Sequence, residues 1–223
     1  VYREGEAKLL GRSDLELLTI LATQAALSVK SRQLFTELER SCLSALRSIA
    51  SFVEGRGHYT KGHMERVAQL SEQLGRRIGL GEEEINTLKL GASLHDIGLI
   101  GISEAILNMP GELAPKEWDR VKLHPIIGDE ILSSLKFLSE ARHIVRHHHE
   151  RPDGRGYPDG LFGEGVTSSL RVVSLCDSYD ALTSPRPWRQ ALAKEEAIAM
   201  LIKEKDTKFD PEITDAFIDM LGE

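Results

Sequence analysis

The sequence predicts an all-α protein. Apolar residues recur at spacings of three and four along most of the 223 residues, which is the period of a helix with one buried face. Alternating apolar and polar runs, the mark of half-buried strands, are nearly absent. Acids, prolines and small polar residues stand where helices begin.

Residues 1–12 are short on pattern. Ser13, with Glu16 three residues later, fits a capping box. Leu17, Leu21, Leu27, Leu34, Leu38, Cys42, Ala45, Ile49 and Phe52 then mark a helical stripe that neither Gly nor Pro interrupts before Gly55. One amphipathic helix is expected over about 13–54. It is longer than globular helices usually run, as in a coiled coil that pairs with a partner helix. After Gly55-Arg56-Gly57, helices are expected over 60–79, 82–96, 115–137, 139–149, 168–184, 193–205 and 211–222. Glu82, Glu83 and Glu84 suit a helix N-terminus through the macrodipole. Asp210-Pro211-Glu212 offers an N-cap, a proline at the first helical position and an acid in the first turn, and Pro115 with Glu117 does something similar. The longest irregular stretch is 150–167, rich in Gly, Pro and Asp, and long loops in compact domains are often functional. There is no internal repeat.

A hydrophobic fraction of 41% and a charged fraction of 28% fit a soluble globular protein. No apolar run approaches the roughly 20 residues that span a bilayer. The start, Val1-Tyr2-Arg3-Glu4, has neither an initiator Met nor a signal peptide, which points to a piece of something longer. Cys42 and Cys176 stand far apart, so a reducing, cytoplasmic setting is expected. A net charge of −7 argues against a partner that is a DNA or RNA polymer. It leaves room for a small phosphate ligand held by metals and a few arginines.

Histidines carry the chemical signal. His95-Asp96 is expected to end the helix that begins near Glu82, where imidazole and carboxylate can reach one metal ion. His63 lies on the preceding helix. Asp177 lies on a later one, and its neighbours Val172, Val173 and Leu175 predict that it is largely buried. A buried carboxylate needs a metal or a positive partner, and Arg171 is the alternative partner. His63, His95, Asp96 and Asp177 could thus supply one ion from three helices. A second group comprises His124 and the run His147-His148-His149. Neighbours on a helix point about 100° apart, so not all three of the run can face one metal. A solvated helix C-terminus suits His143 and His147, which leaves His148 and His149 as candidate ligands.

These residues and their company resemble the HD-GYP domain, a subgroup of the HD phosphohydrolase superfamily. The resemblance runs through Gly62-His63 with Arg66-Val67, Leu94-His95-Asp96-Ile97-Gly98, Pro110-Gly111 with Leu113, and His124-Pro125 with Gly128. It continues through His148-His149-Glu150 with Asp153-Gly154 and Gly156-Tyr157-Pro158, Asp177 with Asp180-Ala181-Leu182-Thr183-Ser184, Arg186-Pro187-Trp188-Arg189, and Phe209-Asp210-Pro211. Together these cover about residues 58 to 222.

The resemblance implies an HD-domain helical bundle with metals in its core, behind a long N-terminal signalling helix. It implies hydrolysis of the bacterial second messenger cyclic di-GMP to linear pGpG and/or GMP. Two divalent ions follow, iron or manganese by family habit, with zinc compatible with the N/O donor set. His63, His95, Asp96 and Asp177 would hold the first, and Asp96 would bridge to a second held by His124, His148 and His149. A water between the ions would attack phosphorus. Arg186 and Arg189 would clamp phosphate, Tyr157 would line the substrate groove, and Asp180 would handle a proton or orient a ligand. Residues 13–54 separately resemble the closing helix of a GAF sensor running into a signalling helix, through Leu17-Leu18 to Ala22 and Gln24-Ala25-Ala26. That implies a sensor remnant over 1–54 before an HD-GYP domain over 55–223, a homodimer through the helix, and a possible signalling-protein partner.

The sequence parts from the family at three places. Leu99 stands where the family has a lysine thought to bind phosphate. Met109 replaces another lysine. Tyr59 replaces the glutamate of three-metal members, so two ions are expected, with His58 as an exposed loop residue. Leu99 keeps two alternatives open: a module that senses a cyclic dinucleotide or a protein without turnover, and a phosphohydrolase of another cyclic dinucleotide.

Overall fold

The helices form where apolar residues recur at helical spacing. The structure, a computed structural model, describes residues 11–56, 61–185 and 190–222. Its helices are α1 (Arg12–Arg56), α2 (His63–Arg77), α3 (Glu82–Ala92), α4 (Glu104–Leu107), α5 (Pro115–Val121), α6 (His124–Leu132), α7 (Ser139–His147), α8 (Ser168–Thr183), α9 (Lys194–Lys203) and α10 (Pro211–Gly222). Short 3-10 turns occupy Ile97–Gly101, Lys136–Leu138 and Gly163–Gly165. Among the described residues there is no β-strand, only the isolated bridges Asp153–Phe162 and Lys205–Phe209. The all-α expectation holds. Among these residues, no helix is long and apolar enough to cross a membrane.

The chain divides into two units, Val1–Ala45 and Leu46–Glu223. In the first, α1 leaves Leu17, Leu21, Leu27, Leu34 and Leu38 more than half exposed. The helix begins one residue before Ser13. The Gly11 N–H donates to Asp14 at 2.9 Å, while Glu16 pairs with Arg12 instead of closing a capping box.

In the second unit, the last turns of α1 bury Leu46, Ala50, Val53 and Glu54. α2 buries Val67, Ala68, Ser71, Leu74 and Gly75, spaced by a helical turn. α8 buries Leu170 and the consecutive run Val172 to Cys176, so more than one of its faces is covered. These meet Leu88, Ala92, Ile144, Leu201 and Phe217 in the main core. Asp210 caps α10 by accepting from the Ile213 N–H at 3.0 Å, as its sequence predicts.

The expected helices over 82–96 and 115–137 are both shorter than their patterns. α3 stops at Ala92, and the chain tightens into bonds from Leu94 to Gly91 and from Ile97 to Leu94. The second is split because Pro125 has no N–H to give Val121, so α5 ends there and α6 starts afresh at His124. Ser133 then bonds its hydroxyl to the Glu130 carbonyl, competing with the ladder where α6 ends. The four-residue α4 carries no periodic signal in so short a stretch.

Candidate metal centre

Three of the candidate histidines sit at helix ends and share one device. His95 places Nδ1 2.7 Å from the Ala92 carbonyl, His124 places its own 2.8 Å from Val121 O, and His148 does the same to Val145 O at 2.8 Å. Each carbonyl lies three residues back, and each is the acceptor that a continuing α-helix would give to the residue after the histidine. The ring thus ends the helix and the helix fixes the ring. With Nδ1–H committed to a carbonyl, Nε2 is left with its lone pair facing inward, the arrangement typical of metal-binding histidine.

His63 is oriented differently. Its Nδ1 lies 2.7 Å from Asp180 Oδ2, and Arg66 holds the same carboxylate through Nε at 2.6 Å and Nη2 at 2.9 Å. α2 starts at Gly62, which has no side chain to cap it. The buried Glu54 takes that place, accepting from Gly62 N at 2.9 Å and from Met64 N at 2.6 Å.

The inward atoms form two groups, His63, His95 and Asp177 in one and Asp96, His124, His148 and His149 in the other, each with ligand atoms within 4.8 Å of one another. Asp96 stands between them. Its Oδ1 is 3.2 Å from His124 Nε2 and 3.8 Å from His148 Nε2. Its Oδ2 is 3.6 Å from His95 Nε2 and 4.0 Å from His63 Nε2. Asp177 Oδ1 lies 3.2 Å from His63 Nε2 and 3.9 Å from His95 Nε2. His148 and His149 converge, with ring centroids 4.1 Å apart, because α7 has already ended at His147. Arg171 is not the partner of Asp177, since it pairs with Asp210.

The donor set fits divalent cations. His124 Nε2 and His148 Nε2 lie 3.2 Å apart. Both present lone pairs when Nδ1 donates to carbonyl, so a shared cation removes a repulsion. The buried Nε2 of His95 makes no hydrogen bond. Burial, with the neighbouring His149, pushes His148 well down, and burial with His124 takes His149 down to about 3, so both rings are neutral as ligands must be. Burial also works against the charge on Asp96, but His95, His124 and His148 outweigh it and hold the carboxyl well below its usual range. For His63, burial is outweighed by hydrogen bonds to Asp177 and Asp180, and the ring rises to about 10.

A metal ion held by His63 would therefore compete with a proton. At neutral pH, metal uptake is expected to release about one proton from this ring and to strengthen as pH rises toward 10. Calorimetry in two buffers of different ionisation enthalpy reads this, and equal heats would refute it. Asp180→Asn keeps the shape but weakens the hold on His63. It is expected to lower metal affinity about 10–100-fold, measured by competition with a chelator.

The two groups open onto a cavity of about 1000 Å³ lined by Asp96, His124, His149 and Asp177, with Trp118 and Tyr157 on its walls. The Tyr157 ring lies 4.7 Å from that of His149. Lys122, Arg151, Arg155 and Lys208 add positive charge to the lining. The loop over 150–167 is built on the buried Glu150, which accepts from the backbone N–H groups of Asp159, Gly160 and Leu161.

Seven candidate ligands and Tyr157 are thus brought together. Asp180 meets the ring of His63. His147 departs from expectation. It is buried rather than solvated, because its Nε2 pairs with Asp159 at 2.9 Å. His143 is exposed. Leu99 is buried in an apolar cluster with Val53, Ile102 and Leu107. Arg186, Arg189, His58 and Tyr59 lie outside the described residues. Sequence reasoning missed Glu54, Trp118 and Lys122, and placed Glu150 in a motif without giving it a role. Gly62 was the available clue to Glu54, since a helix starting on glycine needs an acceptor from elsewhere.

The HD domain family matches residues 26–213, and the chain belongs to it. The cyclic di-GMP phosphodiesterase response regulator RpfG of Xanthomonas campestris is 37% identical over 199 residues, covering 87% of this chain and 53% of that protein. The 3'3'-cGAMP-specific phosphodiesterase 3 of Vibrio cholerae is 32% identical over 191 residues, covering 85% and 42%. The chain spans about half the length of these curated relatives. The solved structure of Bd1817, an HDG"Y"P protein from Bdellovibrio bacteriovorus, shares the fold at TM-score 0.60 and 24% identity, covering 72% of this chain and 52% of that one.

Proposed function

We propose that residues 55–223, packed on the last turns of α1, form an HD-GYP-type catalytic domain that hydrolyses cyclic di-GMP to linear pGpG and/or GMP. The observation that carries this reading is the pair of ligand groups sharing Asp96 at the wall of a cavity whose lining also includes Lys122, Arg151, Arg155 and Lys208. His63, His95, Asp96 and Asp177 would hold one divalent ion, and Asp96, His124, His148 and His149 a second, iron or manganese by the resemblance. Bound there, the ions supply Lewis-acid stabilisation of phosphoryl charge and make water acidic enough to serve as nucleophile near neutral pH.

The chain's own residues do the rest. The Ala92, Val121 and Val145 carbonyls fix the tautomers of three histidines. Asp180, held by Arg66, orients His63 and acts as a positioning residue. Tyr157 packs on His149 and lines the groove where the nucleotide would lie. Arg186 and Arg189 are proposed phosphate clamps on the strength of the resemblance.

Anaerobic reconstitution with Fe(II) or Mn(II), addition of cyclic di-GMP and chromatography of products test the reading. Metal-bound protein that retains the nucleotide without turnover would leave a sensing module instead. The similarity to a relative named for 3'3'-cGAMP favours running the mixed dinucleotide in parallel.

We further propose that α1 before Leu46 is the signalling helix of a cytoplasmic sensor protein and pairs two chains. Its exposed leucines support this. A monomer in sedimentation at micromolar concentration would refute it.

A further inference from the structure

We propose that Lys122 binds a phosphate of the cyclic dinucleotide, and so sets affinity in this cavity. The inference rests on the cyclic-dinucleotide reading above. Such a ligand carries two phosphodiester groups. The metal centre lies at one part of the cavity wall, so the phosphate that is not being cut needs its own cation. Position 99 supplies none, since Leu99 is buried among apolar side chains.

Four cations line the cavity, and their engagements separate them. Arg151 is held by Asp153 through two bonds of 3.0 and 2.6 Å. Lys208 pairs with Glu204 at 3.3 Å and lies over the Phe209 ring at 4.8 Å. Arg155 stands exposed on the loop, its backbone N–H tied to Asp153. Lys122 is placed otherwise. Its Nζ lies 6.0 Å from the Trp118 ring centroid and 5.9 Å from that of Tyr157, a distance at which two aromatic faces can steer an ammonium without neutralising it. Its carboxylate neighbour is Asp119 at 3.7 Å, on a side chain 74% exposed, and exposed pairs of this kind hold weakly.

The backbone that carries Lys122 is also fixed. Val121 accepts from His124 Nδ1, and the Lys122 N–H donates to Trp118 O. The lysine is therefore two residues from a ligand of the metal centre, on a segment whose geometry that ligand locks. Lysine binds phosphate as a point charge, which suits a group held for position rather than for in-line reaction.

The test uses the metal-loaded chain with cyclic di-GMP. A contact to a non-reacting phosphate is made equally in ground and transition states, so its loss raises KM and spares kcat. Lys122→Gln is expected to raise KM about tenfold or more, with kcat within about twofold. Lys122→Arg, which keeps the charge, recovers most of the affinity. Metal content stays at the wild-type level in both. The dependence of KM on salt weakens in Lys122→Gln, which a merely structural role would not produce. Unchanged KM in Lys122→Gln, or equal loss in both variants, overturns the assignment. Wild type that binds cyclic di-GMP without turnover removes the enzyme, and Lys122 is then judged by the same variants' dissociation constants. Wild type that binds no cyclic dinucleotide overturns both readings.

Discussion

Asp96→Ala is expected to empty the metal centre and to lower phosphodiesterase turnover by about 10³-fold or more, the several kcal/mol that two-metal sites supply. The reason is geometric. Each oxygen of this carboxylate faces a different pair of imidazoles, Oδ1 toward His124 and His148 and Oδ2 toward His95 and His63. Asp177 serves mainly the His63 side, at 3.2 Å. Without Asp96 the second group consists of three histidines and no carboxylate, a poor set for a hard divalent ion. Metal analysis after dialysis, beside the rate, checks the prediction. Two ions retained per chain would show that Asp96 does not join the groups. Because Asp96 lies in a turn after α3 and not within an α-helix, the helical circular dichroism should survive.

Gly98→Ala is expected to destabilise the fold by about 3–5 kcal/mol and to lose metal with it. An added Cβ would lie 1.9 Å from the His124 carbonyl oxygen and 2.5 Å from Gly128 N. Both are backbone atoms, so no side-chain rotation relieves the clash. This contact presses the turn after His95-Asp96 onto the start of α6, and it sets how closely Asp96 approaches His124. Gly55→Ala is the matched control. Nothing lies within 4 Å of a Cβ there, the position is helical, and a gain of about 0.5–1 kcal/mol is expected. Denaturant midpoints of the two variants separate the effects. A Gly98→Ala protein as stable as wild type would mean that the two segments can part without cost.

The parts of this molecule that were legible in sequence are those decided locally. The stripe from Leu17 to Phe52 announces α1, since every helical turn repeats the signal. His148 and His149 could be separated from His147 only in part. The choice depended on where α7 stops, and on Asp159, which takes His147 from twelve residues away. The ends of α3 and α5 were misjudged because the terminating donor is a ring nitrogen rather than a glycine or a cap. Pro125 carried half of that information. Asp180 could be placed one turn after Asp177, but its bond to His63 spans 117 residues, and no periodicity reports such a contact. Lys122 was visible only as a neighbour of His124. Its setting is made by Tyr157, which the loop built on Glu150 brings back across the cavity.

The last turn of α1 is fastened to both halves of the metal centre. Glu54 holds the two N–H groups that begin the helix bearing His63. Arg56 reaches the Ile100 carbonyl, and Val53 packs with Leu99, both on the segment that follows Asp96. A twist or withdrawal of this turn would strip α2 of its acceptor and pull on the Asp96 segment in the same movement. Such a movement would reach the residues that could hold metal before it reached Trp118 and Tyr157 on the cavity wall.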